Sequence, residues 1–174
     1  MTTTITGATG IDNIKAATGA VLQVVSVNKT DAFSTSSQSF VDITGFAATI
    51  TPTSTSSKIL VDVDYTGGSN GHASIRLVRG STPIYIGTGA TGIQLNIGVQ
   101  FASSGTLNHA YQHSKGTMKT VDSPSTTNAV TYKVQGAVPH SASYVLYCNR
   151  IHHNENNKFI GYGASSITLT EIAG

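Results

Sequence analysis

The sequence predicts an all-β protein, an antiparallel jelly-roll-like sandwich, and three observations lead to this fold class. Ser and Thr make up about a quarter of the 174 residues, whereas charged residues reach only 10%, against about 25% in a typical soluble protein. Short apolar runs rich in Val, Ile, Thr and Tyr are separated by Gly, Pro, Ser and Asn, the pattern of strands joined by turns. Several runs alternate apolar and polar residues with the period of two that a half-buried strand requires.

The first 18 residues are predicted to form an extended arm. Their larger apolar side chains besides Met1 are the three isoleucines Ile5, Ile11 and Ile14, which are too few to close a core. An arm of this composition is ordered only where it docks on another surface. We therefore divide the chain into an N-terminal anchoring arm, residues 1–18, and a β-sandwich knob domain, residues 19–174, with the three isoleucines as the candidate particle anchor.

From Gly19 onward, eleven segments are candidates for the nine or ten strands that we expect. They are Val21–Val27, Phe40–Ile43, Ala47–Thr51, Ile59–Tyr65, Ser74–Val78, Ile84–Ile86, Ile93–Phe101, Lys119–Val121, Thr131–Val138, Tyr144–Cys148 and Ile167–Ile172. Turns are predicted at 66–71, 79–83 and 122–125, because Gly, Asn, Asp and Pro are concentrated there.

Alternation in two of these segments predicts which side chains face the core. One set of core candidates is Val130, Tyr132, Val134 and Val138, and the other is Ile59, Val61, Val63 and Tyr65. Asp62 and Asp64 fall on the opposite face of the second segment, where surface solubility is the expected role and calcium binding the alternative. The run from Tyr144 to Cys148 is apolar on both faces, which indicates a strand covered on both sides, either inside the sandwich or against another subunit.

Four segments resemble the β-rich surface modules of tail fibres and related virion proteins of marine phages, including cyanophages. They are GHASIRLVRGSTP at 71–83, SSITLTEI at 165–172, the stretch from Gly19 to Val63, and VDSPSTTNAVTYKVQ at 121–135. Such modules are typically trimeric and non-enzymatic. The resemblance therefore implies a homotrimer with a structural or attachment role, made in the host cytoplasm, displayed on the virion surface, and bound to capsid or tail proteins.

Within this interpretation, two sets of residues are candidate contact sites. The candidate trimer interface comprises Tyr144, Val145, Leu146 and Tyr147. A distal loop that suits host glycans combines hydrogen-bonding and stacking side chains, namely Arg150, His152, His153, Asn154, Asn156, Asn157, Phe159 and Tyr162. The same loop is also consistent with a simple solvated connection.

Three functions follow from these features. The first is a short trimeric fibre or decoration knob that is anchored by its arm and aids host attachment. The second is a receptor-binding tail-fibre tip with a carbohydrate-binding loop. The third is a free lectin-like or TNF-like binding module, because a jelly roll alone does not determine function.

Catalysis, cofactors and metal ions are not expected. His109 and His113 have the spacing of a helical zinc pair but lack the HExxH glutamate, and in an extended chain they would lie roughly 13 Å apart. A trimer axis could still gather one histidine from each subunit, with His72, His140, His152 and His153 eligible. The single cysteine, Cys148, cannot form an intrachain disulfide and is predicted to be a small buried residue.

Charge and hydropathy exclude two further classes of partner. The net charge of +2 is spread along the chain without the basic stripe that a nucleic-acid-binding protein needs. The N-terminus has neither the basic start nor the apolar stretch of a signal peptide, and no segment approaches the roughly 18 apolar residues of a membrane span. We therefore expect no nucleic acid partner and no membrane insertion.

Overall fold

The structure is a computed structural model that describes residues 16–91, 95–101, 113–153, 156, 158 and 160–174. The described residues form two antiparallel β-sheets packed face to face, which confirms the predicted all-β sandwich. The strands are β1 (Val21–Lys29), β2 (Phe33–Thr35), β3 (Val41–Ile50), β4 (Lys58–Ser69), β5 (Ala73–Arg79), β6 (Thr82–Ile84), β7 (Val99–Phe101), β8 (Ser114–Asp122), β9 (Val130–Ala137), β10 (Leu146–Cys148) and β11 (Ser165–Ile172).

The strand order is that of a jelly roll. Sheet 1 has the order β1-β11-β4-β10-β2, with β8 paired along the other edge of β4. Sheet 2 has the order β3-β9-β5, and β6 and β7 both pair with the remaining edge of β5. The long strands β1, β3, β4 and β5 belong alternately to sheets 1 and 2, as do β8, β9 and β11. This alternation places each hydrophobic strand face against the other sheet.

The core lies between the sheets and contains the residues that the alternation predicted except Val130, which is partly buried and packs against it. Ile59, Val61, Val63 and Tyr65 on β4 are fully buried, as are Tyr132, Val134 and Val138 on and after β9. Phe46, Ile75, Leu77 and Met118 from other strands complete the cluster. Cys148 is also buried within this cluster, as expected for a small apolar side chain.

Several predicted strand limits are wrong, and β3 shows why. The segments 40–43 and 47–51 were predicted as separate strands, but they form one strand. The pairing of β3 with β9 shifts register between Asp42 and Ala47, and Gly45 adopts a φ of +77°. The interruption in the apolar pattern is therefore a β-bulge inside the strand, for which glycine is suited.

The predicted turn at 66–71 is also wrong in part, because β4 continues to Ser69. Gly67 and Gly68 pair with Cys148 and Tyr147 of β10, and a Cβ on Gly67 would overlap the Tyr147 carbonyl. These glycines are therefore strand residues at a close backbone approach, which the sequence pattern does not distinguish from a turn.

Other corrections are smaller. The turn predicted at 79–83 is shorter than expected, because Gly80 and Ser81 alone connect β5 to β6 in a hairpin. The strand predicted at 84–86 therefore begins two residues earlier and is β6, Thr82–Ile84. The strand predicted at 119–121 is the longer β8, and β2 was not predicted at all. Of the strand predicted at 93–101, residues 93 and 94 lie outside the described residues, and only the last three residues form β7.

The two ends of the sandwich are chemically different. At the proximal end, β1 begins opposite the end of β11, with Val21 paired to Ile172. At the distal end, Lys29 pairs with Ser165, and the segments around 70–72, 138–145 and 149–164 connect the strands. The nine residues of β1 separate the two ends by about 30 Å, at roughly 3.3 Å per residue.

Hydrogen bonds between polar side chains link the two sheets at the proximal end. Asp122 on β8 of sheet 1 accepts hydrogen bonds from Arg79 Nη1 at 2.8 Å to each oxygen and from the Tyr132 hydroxyl at 2.6 Å. Arg79 and Tyr132 both belong to sheet 2. Burial, and then the Asp122 carboxylate, raise the pKa of Tyr132, so this hydroxyl remains a donor.

Candidate functional site

The loop that follows β10 is held to the sandwich by its first residue, Asn149. This residue is fully buried, has a φ of +61°, and donates from Nδ2 to the carbonyl oxygens of Lys29 and Asp31 at 2.7 and 2.9 Å. Its Oδ1 accepts from the Ser165 hydroxyl at 2.6 Å. Asparagine is among the few residues that tolerate this backbone conformation, so Asn149 fixes the direction in which the loop leaves the sheet.

The side chains of Arg150 and His152 pack on Tyr147 at the distal end. We call these three residues the Tyr147 cluster. The Arg150 guanidinium lies 4.3 Å from the centre of the Tyr147 ring, and the Tyr147 hydroxyl is hydrogen-bonded to His152 Nδ1 at 2.8 Å. Burial, together with the charges of His153 and Arg150, lowers the pKa of His152. The imidazole is therefore neutral at pH 7, and its Nδ1 can accept a hydrogen bond from the Tyr147 hydroxyl.

The structure brings together part of the predicted distal loop. His153 stacks edge-on against His152 with ring centres 5.4 Å apart, and Arg150 forms an isolated β-bridge with Tyr162, whose side chain is 61% exposed. Asn156 is exposed. Asn154, Asn157 and Phe159 lie outside the described residues, as do the three arm isoleucines Ile5, Ile11 and Ile14.

A second ring cluster at the same end was not predicted as a unit. This cluster consists of a histidine pair, His72 and His140, together with Tyr144. The centres of the three rings lie 5.7 to 6.1 Å from one another. Tyr144 lies directly over Gly71, where any Cβ would overlap its ring. These residues are far apart in sequence and meet because β5 pairs with β9, with Ser74 opposite Ala137.

A cavity of about 770 Å³ lies beside the histidine pair, between sheet 2 and residues 87–90 and 95–97. Polar side chains in its wall are His72, Ser74, Asn96, Gln100 and His140. Leu95, Ile97, Pro139 and Ala90, with Gly87 and Gly89, supply the apolar remainder. The size is typical of a small-ligand site, about 300 to 1,000 Å³, as is the combination of apolar walls with a few polar groups.

The candidate trimer residues are less accessible than expected. Leu146 is a core residue and Tyr147 is 5% exposed, whereas Tyr144 and Val145 are partly buried. Leu146 and Tyr147 are therefore covered within the single chain, which is one of the two arrangements that the sequence predicts for this run. The physical reason is that β10 lies between β4 and β2, with its inner face in the core and Tyr147 covered by Arg150.

The polar residues considered for metal binding or hydrolysis are engaged in other contacts. Asp62 and Asp64 pair with Lys119 and Lys115 across β4 and β8 at 2.5 and 3.4 Å. His113 is hydrogen-bonded to the Gly161 carbonyl oxygen at 3.0 Å, while His109 lies outside the described residues. Across the described ranges, no group of three or more His, Cys, Asp or Glu residues is arranged to hold a metal ion.

Cys148 has the environment of a structural thiol. Burial raises the pKa of its thiol to about 11, although Ser165 and Lys29 act in the opposite direction. Little thiolate is present near neutral pH, and the thiolate is the reactive form. Cys148 is thus a packing residue beside the distal loop.

The sequence matches no model of a known protein family and no curated protein. In the part of the chain that the structure describes, no helix is long and apolar enough to cross a membrane.

Proposed function

We propose that the protein is a non-enzymatic component of a phage virion surface, a short trimeric knob that is anchored by residues 1–18 and displays its distal end. The virion assignment rests on the resemblance of the four sequence segments. The observation that carries the proposed orientation is the position of the two ends, because the arm leads into β1 at the proximal end while Tyr147, His152 and Tyr162 lie at the distal end. Attachment through one end leaves the other exposed.

The chemistry of the distal end supports a contact role. Aromatic and histidine rings lie beside Arg150, so one surface offers stacking faces and hydrogen-bonding groups together. Rigid amphipathic side chains of this kind are common in binding surfaces because they contribute contact area at little cost in conformational entropy. Host-surface glycans are the partners that we assign to this end.

The carboxylates support binding over hydrolysis. A glycosidase needs two carboxylic groups facing each other across a cleft. Each described carboxylate side chain already has an ion-pair or hydrogen-bond partner, and these residues are Asp31, Asp42, Asp62, Asp64, Asp122 and Glu171. The proposal therefore includes no catalytic step.

Self-association is supported by an apolar row on the outer face of sheet 1. Val24, Thr170, Leu60 and Val121 are successive cross-strand neighbours on β1, β11, β4 and β8. Val24 and Val121 are 58% and 54% exposed, and Val21 beside them is 62% exposed. Exposed valines grouped on one sheet face, with Leu60 and the Thr170 methyl group between them, favour a protein contact more than isolated apolar residues do. We assign this apolar row, in place of β10, to the trimer contact.

Two variants test the proposed function. Deletion of residues 1–18 should give a folded protein that no longer joins purified particles lacking it, measured by co-sedimentation. Replacement of 154–158 by Gly and Ser should leave incorporation intact and reduce adsorption of the particles to host cells. A deletion variant that still incorporates would contradict the anchor, and unchanged adsorption with the loop variant would indicate decoration alone.

A free lectin-like module is the second candidate function, and the cavity beside His72 and His140 favours it. A protein that remains monomeric in solution and binds no particle, yet binds a sugar, would support this candidate. The particle-binding experiment with the full chain therefore distinguishes the two functions.

A further inference from the structure

We propose that the cavity between sheet 2 and residues 87–90 and 95–97 is a binding site for an uncharged saccharide of one or two rings. This site is separate from the Tyr147 cluster and lies on the flank of sheet 2. The inference rests on the proposed function for the biological source of the sugar, whereas the binding itself does not depend on virion assembly.

The cavity wall is braced on both sides. The Gly87 amide donates to the Ile97 carbonyl at 3.2 Å, and the Ala90 amide donates to Asn96 Oδ1 at 3.2 Å. These bonds join residues 87–90 to residues 96 and 97. Across the cavity, Ser74 and Gln100 are cross-strand neighbours on β5 and β7, so the opposite wall belongs to the sheet itself. One wall of the cavity is therefore part of sheet 2, and the opposite wall is held together by the two hydrogen bonds.

The charge of the lining selects a neutral ligand. None of the described lining residues is Lys, Arg, Asp or Glu. A phosphate, sulfate or carboxylate bound there would lose its hydration and would find no Lys or Arg to pair with, only the imidazoles of His72 and His140, which is unfavourable. Nucleotides and acidic sugars are thus poor ligands for this cavity.

The hydrogen-bonding groups of the lining match hydroxyl groups. Ser74, Asn96 and Gln100 each carry an atom that accepts and an atom that donates, and a neutral imidazole of His72 or His140 does both. Sugar hydroxyls also donate and accept. A hydrocarbon ligand would leave these polar groups unpaired, at a cost of about 1 to 3 kcal/mol for each group that becomes buried. A hydroxyl-rich ligand avoids that cost.

The apolar part of the lining matches the other face of a sugar ring. Pyranose rings present C–H groups on their faces, and Leu95, Ile97 and Pro139 supply an apolar surface of comparable extent. The His140 ring is stacked on Tyr144 at 5.7 Å with an angle of 23° between the planes, and Tyr144 is seated on Gly71. Tyr144 is therefore a positioning residue that holds His140 at the rim.

The test is saturation-transfer NMR on the full chain with three neutral disaccharides, maltose, lactose and N,N′-diacetylchitobiose, and with glucose 6-phosphate as the charged probe. We expect transfer to at least one neutral disaccharide and none to glucose 6-phosphate. His140→Ala and Gly89→Phe should each weaken binding roughly tenfold or more, a loss of about 1.4 kcal/mol. Gly89 lines the cavity, and a Cβ there would meet no atom within 4 Å, so the bulky side chain should be accommodated without disturbing the fold.

The matched control is His113→Ala, which removes an exposed histidine that neither lines the cavity nor belongs to the Tyr147 cluster and should leave saccharide binding unchanged. Circular dichroism of each variant verifies that it is folded. The inference is wrong if none of the three disaccharides binds, if glucose 6-phosphate binds equally well, or if His140→Ala and Gly89→Phe leave binding as strong as His113→Ala does. Failure of the arm deletion to block incorporation would contradict the proposed anchor and leave this result untouched.

Discussion

Glu171 is a carboxylate that is fully buried at the proximal end. Its Oε1 accepts from the Thr53 amide and hydroxyl, both at 2.7 Å, and its Oε2 accepts from Gln23 Nε2 at 2.6 Å. The nearby Ser57 hydroxyl is buried and faces this carboxylate without a hydrogen bond of acceptable geometry among the described residues. Glu171 thereby fastens the β3–β4 connection to β11.

The pH dependence of stability should reflect this carboxylate. Burial would raise the pKa of Glu171, but the hydroxyl of Ser57 and the donors of Gln23 and Thr53 outweigh it and lower the pKa to about 2 from 4.5. A lowered folded-state pKa stabilises the protein above pH 4.5, and this contribution is lost as the pH falls toward 2. Glu171→Gln should cost about 2 to 3 kcal/mol of unfolding free energy at pH 7 and much less near pH 2.

Urea unfolding of both proteins across this pH range measures the difference. The matched control is Asp64→Asn, which removes an exposed carboxylate paired with Lys115 at 3.4 Å and should change stability little. A pH-independent difference between wild type and Glu171→Gln would show that the ionised carboxylate is not the stabilising species.

At the scale of the elements, the junction of β4 with β10 depends on glycine. A Cβ on Gly67 would overlap the Tyr147 carbonyl, and it would also approach the ring and hydroxyl of Tyr65, which donates to that carbonyl at 2.7 Å. Because a backbone atom cannot move without separating the strands, we expect Gly67→Ala to lower the unfolding free energy by at least about 2 kcal/mol.

Thermal and urea unfolding measure this loss. Gly89→Ala is the control, since its added Cβ meets no atom within 4 Å, and its stability should match the wild type. Equal stability of Gly67→Ala and the wild type would mean that the backbone contact between β4 and β10 is looser than described.

Periodicity could predict the long elements and their core faces but not the short or interrupted ones. Ile59 to Tyr65 alternates regularly, so its buried face followed from the sequence. By contrast, β2 is three residues long and pairs with β10, more than a hundred residues later in the chain. The bulge at Gly45 resembles a turn because glycine favours both.

At the scale of the whole molecule, the sequence predicts the sandwich because strand patterns are local, whereas the sites depend on pairing between distant strands. Arg150, His152 and Tyr162 are near one another in sequence and could be predicted as a group. His72 and His140 could not, because only the register between β5 and β9 brings their rings within 5.7 Å. No local pattern encodes that register.

The apolar row on sheet 1 makes subunit association testable. We expect the wild type to be a trimer by light scattering, and the double variant Val24→Asp with Val121→Asp to be monomeric. Each Asp would place a charge where the proposed contact excludes water, and a buried unpaired charge costs several kcal/mol. Both side chains are more than half exposed in the single chain, so the fold should be retained.

Asn28→Asp is the matched control for this variant. Asn28 lies on the same strand and outer face as Val24 but opposite Ser166, outside the apolar row, so this charge should leave the trimer intact. A monomeric wild type would contradict the proposed homotrimer. A double variant that stays trimeric would instead move the interface to another surface, and dissociation by Asn28→Asp would extend it toward the distal end.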